Sequence, residues 1–195
     1  MTATITPERV MLPPELLSGL DDPVPMAETQ PDAAVPTKTK ELVIVAESGD
    51  LERTWATTIL ASSAAASGMQ VSIFFTFWGL FPLVRPDVRI TSKNWMQKML
   101  AMMNRPGIDH LKLSKLNFAG MGPWMMHRLA RQYGVAKPGE LLEMAQALGV
   151  RLIPCQMSMD MMGVGADQLI EGVEPAVGAA AALELMTQAD ATLFI

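Results

Sequence analysis

The sequence predicts an α/β fold: three layers, with a mostly parallel sheet of four to five strands flanked by helices, of the flavodoxin or Rossmann type. Short apolar runs typical of buried parallel strands recur at 41–47, 70–77, 150–154 and 191–195. Amphipathic or alanine-rich stretches typical of helices separate these runs. Glycines stand at the ends of several of these stretches, where helices commonly stop.

The first unit is predicted to be a strand, a helix and a second strand. The run at 41–47 is the first strand, and Asp50 suits the N-cap of a helix over 51–67. Gly68 is a suitable C-terminal residue for that helix, and the second strand follows at 70–77. Because parallel strands joined by a helix form right-handed crossovers, we expect one here.

A helical insertion over about 78–135 departs from this alternation. Apolar stripes at helical spacing predict helices at 94–103 and at 123–133. Both stripes exceed what a small sheet needs to cover its faces, so we expect a homo-oligomer with contacts within 77–126. The alternative is that both stripes fold onto their own sheet as a lid and leave a monomer.

The second half returns to alternating elements. A helix is predicted at 138–148 and a strand at 150–154, followed by a helix that begins after Cys155 and ends at Gly163. A short turn at 166–170, a short strand at 173–177, a helix at 179–188 and a strand at 191–195 complete the chain.

Composition limits the classes of function. Residues 1–40 are rich in proline and acidic residues, which predicts a flexible tail before an α/β domain at 41–195, although 10–17 could be a docking motif. The formal net charge of −5 argues against a nucleic-acid binder. The apolar block at 71–84 is too short for a spanning helix, so membrane contact is not expected. A single cysteine and no signal-peptide pattern predict a cytoplasmic protein.

Cys155 is the candidate functional residue. It is the only cysteine of the chain, and it stands where a predicted strand meets a predicted helix. Backbone N–H groups at the start of a helix favour an anion, so a thiolate is expected there. Sites in parallel sheets form beyond the carboxyl ends of the strands. The residues expected to line such a pocket are Glu47, Ser48, Gly49, Thr76, Trp78, Gln156 and Met157.

The run Cys-Gln-Met-Ser-Met-Asp-Met-Met-Gly at 155–163 resembles the cysteine motif of the DsrE/DsrF/DsrH-like sulfur-relay family, specifically its DsrE2-type branch. Stretches at 74–80 and 112–122 resemble the same branch, and the resemblance covers about 41–195. It implies an oligomeric persulfide carrier that uses Cys155 and exchanges sulfane sulfur with rhodanese-like or TusA-like partners. Pro154 stands where the family usually has a small or polar residue, a departure that affects access to the thiol.

Two other functions remain open: an oligomeric scaffold with an incidental cysteine, and a thiol peroxidase. A peroxidase needs an arginine near its cysteine, and Arg151 lies on the same strand face four residues back. The methionines after Cys155 could be soft ligands for Cu(I), but their spacing favours packing. His127 is expected to be solvated, and neither histidine belongs to a zinc-binding pattern. No metal or cofactor is therefore predicted.

Overall fold

Four parallel strands form a sheet in the order β3-β2-β1-β4 within the described part of the chain. The computed structural model describes residues 39–88, 95–97, 99 and 106–195. The strands are β1 (Glu41–Ala46), β2 (Gln70–Phe75), β3 (Arg151–Pro154) and β4 (Ala191–Phe194). The predicted α/β fold with a parallel sheet is thus confirmed.

Five helices accompany the sheet in the described residues. They are α1 (Leu51–Ala66), α2 (Met121–Gln132), α3 (Pro138–Ala147), α4 (Gln156–Met162) and α5 (Ala179–Gln188). Of the helix predicted at 94–103, residues 95–97 and 99 are described and are helical. The rest of that helix lies outside the described residues, as does the predicted tail up to residue 38.

The core consists of two apolar layers, one on each face of the sheet. Alternate residues of a strand point to opposite faces, so Ile44 and Ile73 pack beneath α1, α3 and α4 through the helix residues Ala61, Leu142, Ala145, Met159 and Met162. On the opposite face, Val45 and Phe74 pack with Ala182 of α5. These helices on either side of the sheet confirm the predicted three-layer architecture.

The segment at 173–177 extends the sheet beyond β3 only in part. Val173 pairs with Leu152, and Val177 pairs with Cys155, each as an isolated bridge. The N–H group of Val177 donates to the carbonyl of Pro154 at 3.0 Å. Pro175 lies between the two bridges and has no N–H group to donate. The strand predicted here is therefore reduced to two bridges.

The first residues of the apolar block at 71–84 belong to β2, and the block continues as a 3-10 turn, Phe77–Leu83. The turn lies close to the end of β1, where the N–H group of Gly79 donates to the carbonyl of Glu47 at 2.9 Å. A Cβ atom at Gly79 would lie 2.1 Å from the carbonyl oxygen of Ala46, so the approach requires glycine. Among the described residues, no helix has both the length and the apolar character needed to cross a bilayer.

Helix α2 packs on the first turns of α1 through a narrow stripe. Ala130 joins Leu51 and Trp55 in a small apolar cluster. His127 is half-buried, and its ring lies 5.6 Å from that of Trp55, centroid to centroid. Its Nδ1 atom is buried and has no hydrogen-bond partner among the described residues. The expectation that His127 is solvated is therefore wrong, because the Trp55 ring covers one side of it.

Candidate thiol site

Cys155 is held at the carboxyl edge of the sheet by the strand before it and the helix after it. Its N–H group donates to the carbonyl of Phe75 at 2.8 Å, which continues the pairing of β2 with β3. Its carbonyl accepts the N–H group of Met159 at 3.0 Å, which makes Cys155 the N-cap of α4. Gly163 ends this helix in the left-handed conformation with φ 71°, as expected for a terminal glycine.

Two buried hydroxyl groups lie beside the thiol. Thr76 follows β2 next to Cys155 in the strand register, and Ser158 occupies the first turn of α4. Their oxygen atoms are 3.1 Å apart, and the N–H group of Phe77 donates to the Ser158 oxygen at 2.8 Å. The hydroxyl of Ser158 is thus oriented from two sides, and both hydroxyls form hydrogen bonds with the Cys155 sulfur.

The balance of burial and hydrogen bonds determines the acidity of the thiol. Burial is the largest influence and raises the pKa of Cys155. Hydrogen bonds from the hydroxyl and N–H groups of Ser158, the hydroxyl of Thr76 and the N–H group of Met157 together outweigh burial, so the pKa lies below its ordinary value. These donors are all neutral, so the thiolate is stabilised without a cation.

The thiol is enclosed as well as activated. Cys155 is only 1% exposed and packs with Ile153, Phe74 and Ala182 of α5. A reagent or a partner's cysteine must approach the sulfur atom within bonding distance. Attack on Cys155 therefore requires the residues that cover it to move.

Three of the residues expected to line a pocket meet at an open cavity whose lining does not include Cys155. Glu47, Ser48 and Trp78, with their neighbours Asp50, Arg53 and Phe77, line a cavity of about 350 Å³. The Glu47 carboxylate lies 3.8 Å from the Arg53 guanidinium. Gly49 does not line this cavity, but a Cβ there would lie 2.7 Å from the carbonyl oxygen of Trp78, so this glycine allows the two segments to approach closely.

The side chains of the two residues after Cys155 lie at the surface. Gln156 and Met157 are exposed, and the Gln156 amide donates to the Asp160 carboxylate at 2.9 Å. Met159 and Met162 are buried in the core, on another side of α4. The thioethers near Cys155 therefore do not converge on one point, and the described residues contain no group of three or more histidine, cysteine or acidic side chains that could hold a metal.

Arg151 is engaged elsewhere. Its guanidinium donates twice to the Glu174 carboxylate, at 2.7 and 2.9 Å, at the opposite end of β3 from Cys155. These hydrogen bonds raise the pKa of the guanidinium despite partial burial. Arg151 is therefore not positioned to serve as the arginine that a thiol peroxidase needs beside its cysteine.

Ser158 and the N–H group of Phe77 are the parts of the site that the sequence analysis missed. Ser158 follows the N-cap by three residues, the position whose side chain commonly reaches back towards the cap. That spacing was a usable signal. Phe77 contributes a backbone group from a turn with φ 46°, for which the sequence carries no signal.

The parallel sheet and the lowered pKa of the thiol at its carboxyl edge place this protein among α/β proteins with a reactive cysteine. The sequence matches the DsrE/DsrF/DrsH-like family over residues 38–194, and the chain belongs to that family. This confirms the resemblance found in the sequence. The family match also agrees with the observed parallel α/β fold.

Two curated proteins are similar over almost their whole length. The protein YrkE of Bacillus subtilis is 39% identical over 158 residues, which is 81% of this chain and 98% of that protein. The sulfur carrier protein DsrE2 of Allochromatium vinosum is 36% identical over 157 residues, 80% of this chain and 98% of the relative. Among solved structures, the YchN protein of E. coli aligns with a TM-score of 0.49 and 14% identity, covering 81% of this chain and all of that one.

Proposed function

We propose that this protein carries sulfane sulfur as a persulfide on Cys155 and passes it between partner proteins. The observation that carries the proposal is the set of neutral donors around the Cys155 sulfur, which favour a thiolate at the end of β3. Membership of the DsrE-like family and similarity to a sulfur carrier protein support a role in sulfur relay. The partners we propose are rhodanese-like or TusA-like proteins of the cytoplasm.

Loading and unloading are both thiol exchange reactions. In loading, the Cys155 thiolate attacks the terminal sulfur of a donor persulfide; a new S–S bond forms, the donor S–S bond breaks, and the donor leaves as a thiolate. In unloading, the acceptor's thiolate attacks the terminal sulfur on Cys155, and Cys155 leaves as a thiolate. Neither step needs an external oxidant or reductant.

The same hydrogen bonds serve both directions. A lowered pKa increases the thiolate fraction that attacks during loading, and it makes Cys155 a better leaving group during unloading. Burial protects the loaded sulfur from solvent between the two steps, since the side chain is almost inaccessible. A carrier of this kind needs no second cysteine in its own chain, because each exchange uses a cysteine of the partner.

Intact-protein mass spectrometry tests the proposal. After incubation with polysulfide, or with thiosulfate and a rhodanese, the protein should gain the mass of one sulfur atom, and dithiothreitol should remove it. Cys155→Ser should stay unmodified while its circular dichroism spectrum is unchanged. If a known carrier loads under the same conditions and this protein does not, the relay function is excluded.

A further inference from the structure

Helix α2 and the turn before it expose an apolar surface. We name it the Trp124 surface; its members are Leu116, Phe118, Met121, Trp124, Met125 and Leu129. Trp124 is 61% exposed and Phe118 is 64% exposed, values that are high for large apolar side chains. Several such side chains side by side mark an interaction site rather than ordinary surface.

The turn and the helix are packed together as one unit. The N–H group of Gly122 donates to the carbonyl of Asn117 at 3.3 Å. A Cβ atom at Gly122 would lie 2.1 Å from the carbonyl oxygen of Leu116, so glycine is what lets the turn lie against the helix. Leu116 and Phe118 both have positive φ, 59° and 38°, and both side chains remain exposed.

The stretch of chain that carries this surface is basic, although Glu52 of α1 contacts it at Ser114. Between residues 110 and 139 there is no aspartate or glutamate, while the bases are Lys112, Lys115, Arg128, Arg131 and Lys137. Arg128 and Arg131 are exposed, and among the described residues neither forms an ion pair with a carboxylate. Arg128 instead lies over the Trp124 ring, 5.8 Å from its centroid. This surface therefore suits an occupant that is apolar and carries anionic groups.

The same surface of a second copy does not meet that requirement. A twofold contact of this surface with itself uses the same patch on both copies. Two basic patches would then lie against each other, with no acidic residue of the 110–139 stretch to offset the repulsion. A lipid surface needs only an apolar helix side with flanking cations, which α2 supplies through Trp124, Arg128 and Arg131.

The geometry points to peripheral binding of an anionic lipid surface through the Trp124 surface, with the aromatic and methionine side chains entering the headgroup region and Arg128 and Arg131 on the phosphates. Interfacial helices combine an apolar side bearing tryptophan and leucine with flanking cations in this way. Such peripheral binding needs no segment that crosses the bilayer. It is therefore compatible with the apolar block at 71–84, which is too short to span one. It does not depend on the thiol.

Vesicle co-sedimentation tests this inference with phosphatidylcholine vesicles that either contain or lack phosphatidylglycerol. The full-length protein should bind the phosphatidylglycerol vesicles, and added NaCl should weaken the binding. The double variant R128E/R131E should bind these vesicles at least about thirtyfold more weakly than the wild type, because each basic residue near an anionic surface contributes roughly a factor of five. Trp124→Ser should also weaken binding, and its loss should persist at low salt.

The matched control is K40E/R85E, which makes the same change in net charge on two exposed residues outside α2. It should bind like the wild type, as should Cys155→Ser. Three results would overturn the inference: no binding to anionic vesicles, equal binding to neutral vesicles, or equal loss in both charge-reversal variants. Loss of self-association in R128E/R131E, measured by light scattering without vesicle binding, would instead assign the surface to a second copy.

Discussion

The hydroxyl oxygens of Thr76 and Ser158 lie 3.1 Å apart beside the sulfur of Cys155. The two hydroxyl groups have two protons to donate but make three contacts: one between the two oxygens, and one from each oxygen to the sulfur. When the sulfur is a thiolate, it accepts both protons, and the oxygen of Ser158 still accepts the N–H group of Phe77. The arrangement is therefore satisfied best when Cys155 is ionised.

Removal of the Ser158 hydroxyl should raise the thiol pKa. In Ser158→Ala the thiolate loses a donor and the N–H group of Phe77 loses its acceptor. Hydrogen bonds to charged groups contribute about 1.5–3 kcal/mol, so alkylation of Cys155 by iodoacetamide at neutral pH should slow on the order of tenfold. The rate measured against pH should shift to higher pH. Thr76→Val should act in the same direction.

Ser67→Ala is the control for removal of a hydroxyl. The Ser67 hydroxyl is exposed and donates to the carbonyl of Ser63 at 2.8 Å, at the end of α1. In Ser67→Ala, the rate of Cys155 alkylation should depend on pH as it does in the wild type. An unchanged profile in Ser158→Ala, with the fold intact by circular dichroism, would show that this hydroxyl does not set the reactivity of the thiol.

Gly79→Ala should destabilise the protein and disturb the turn that carries Phe77. The added methyl group would lie 2.1 Å from the carbonyl oxygen of Ala46, which belongs to the backbone of β1 and cannot rotate away. Overpacking of this kind costs about 1–3 kcal/mol, measurable as a lower free energy of unfolding in urea. Gly178→Ala is the control, since nothing lies within 4 Å of its Cβ position. Equal stability of the two variants would contradict the close approach.

The sequence predicted the sheet more completely than the site. Strands such as β1 are apolar along their length, and that signal survives without knowledge of their neighbours. Cys155 could be predicted as the site residue because it stands between a strand and a helix. The side on which Gln156 and Met157 lie depends on the rotation of α4, which only packing of Met159 and Met162 in the core fixes. Local sequence does not encode that rotation.

The stability of the protein should fall as the pH is lowered through the ordinary pKa of histidine. Burial lowers the pKa of His127 below its ordinary value; Lys137 and Arg131 also lower it, and Asp109 opposes them. The unfolded chain therefore binds a proton at higher pH than the folded chain does. Since unfolding then takes up a proton, the free energy of unfolding decreases as pH falls below about 6.5.

Urea denaturation at several pH values measures this slope, with His127→Phe as the test variant. Phenylalanine keeps the ring packed on Trp55 but cannot take up a proton, so the slope below about pH 6.5 should become shallower. His110→Gln, a change at an exposed histidine, is the control and should retain the slope. If both variants behave like the wild type, burial of His127 does not couple folding to pH.

The last prediction concerns assembly. Trp95 is 69% exposed, and Met99 beside it on the same helical segment is exposed as well. These side chains do not fold onto their own sheet as a lid, so they remain available to a second copy. The same segment contacts the helix that begins after Cys155, because the Gln97 amide donates to the carbonyls of Asp160 and Met161 at 2.9 and 3.0 Å.

We expect a homo-oligomer whose contacts include Trp95 and Met99, since tryptophan and methionine are enriched at interfaces. Light scattering at micromolar concentration should give a mass above the 21.1 kDa of one chain. Trp95→Glu should reduce it to that of a monomer, because a buried carboxylate without a partner opposes association. Trp124→Ser should keep the assembly, which separates this interface from the Trp124 surface. A mass that stays at one chain as concentration rises would exclude the oligomer, and the exposed Trp95 segment would then have to bind another protein.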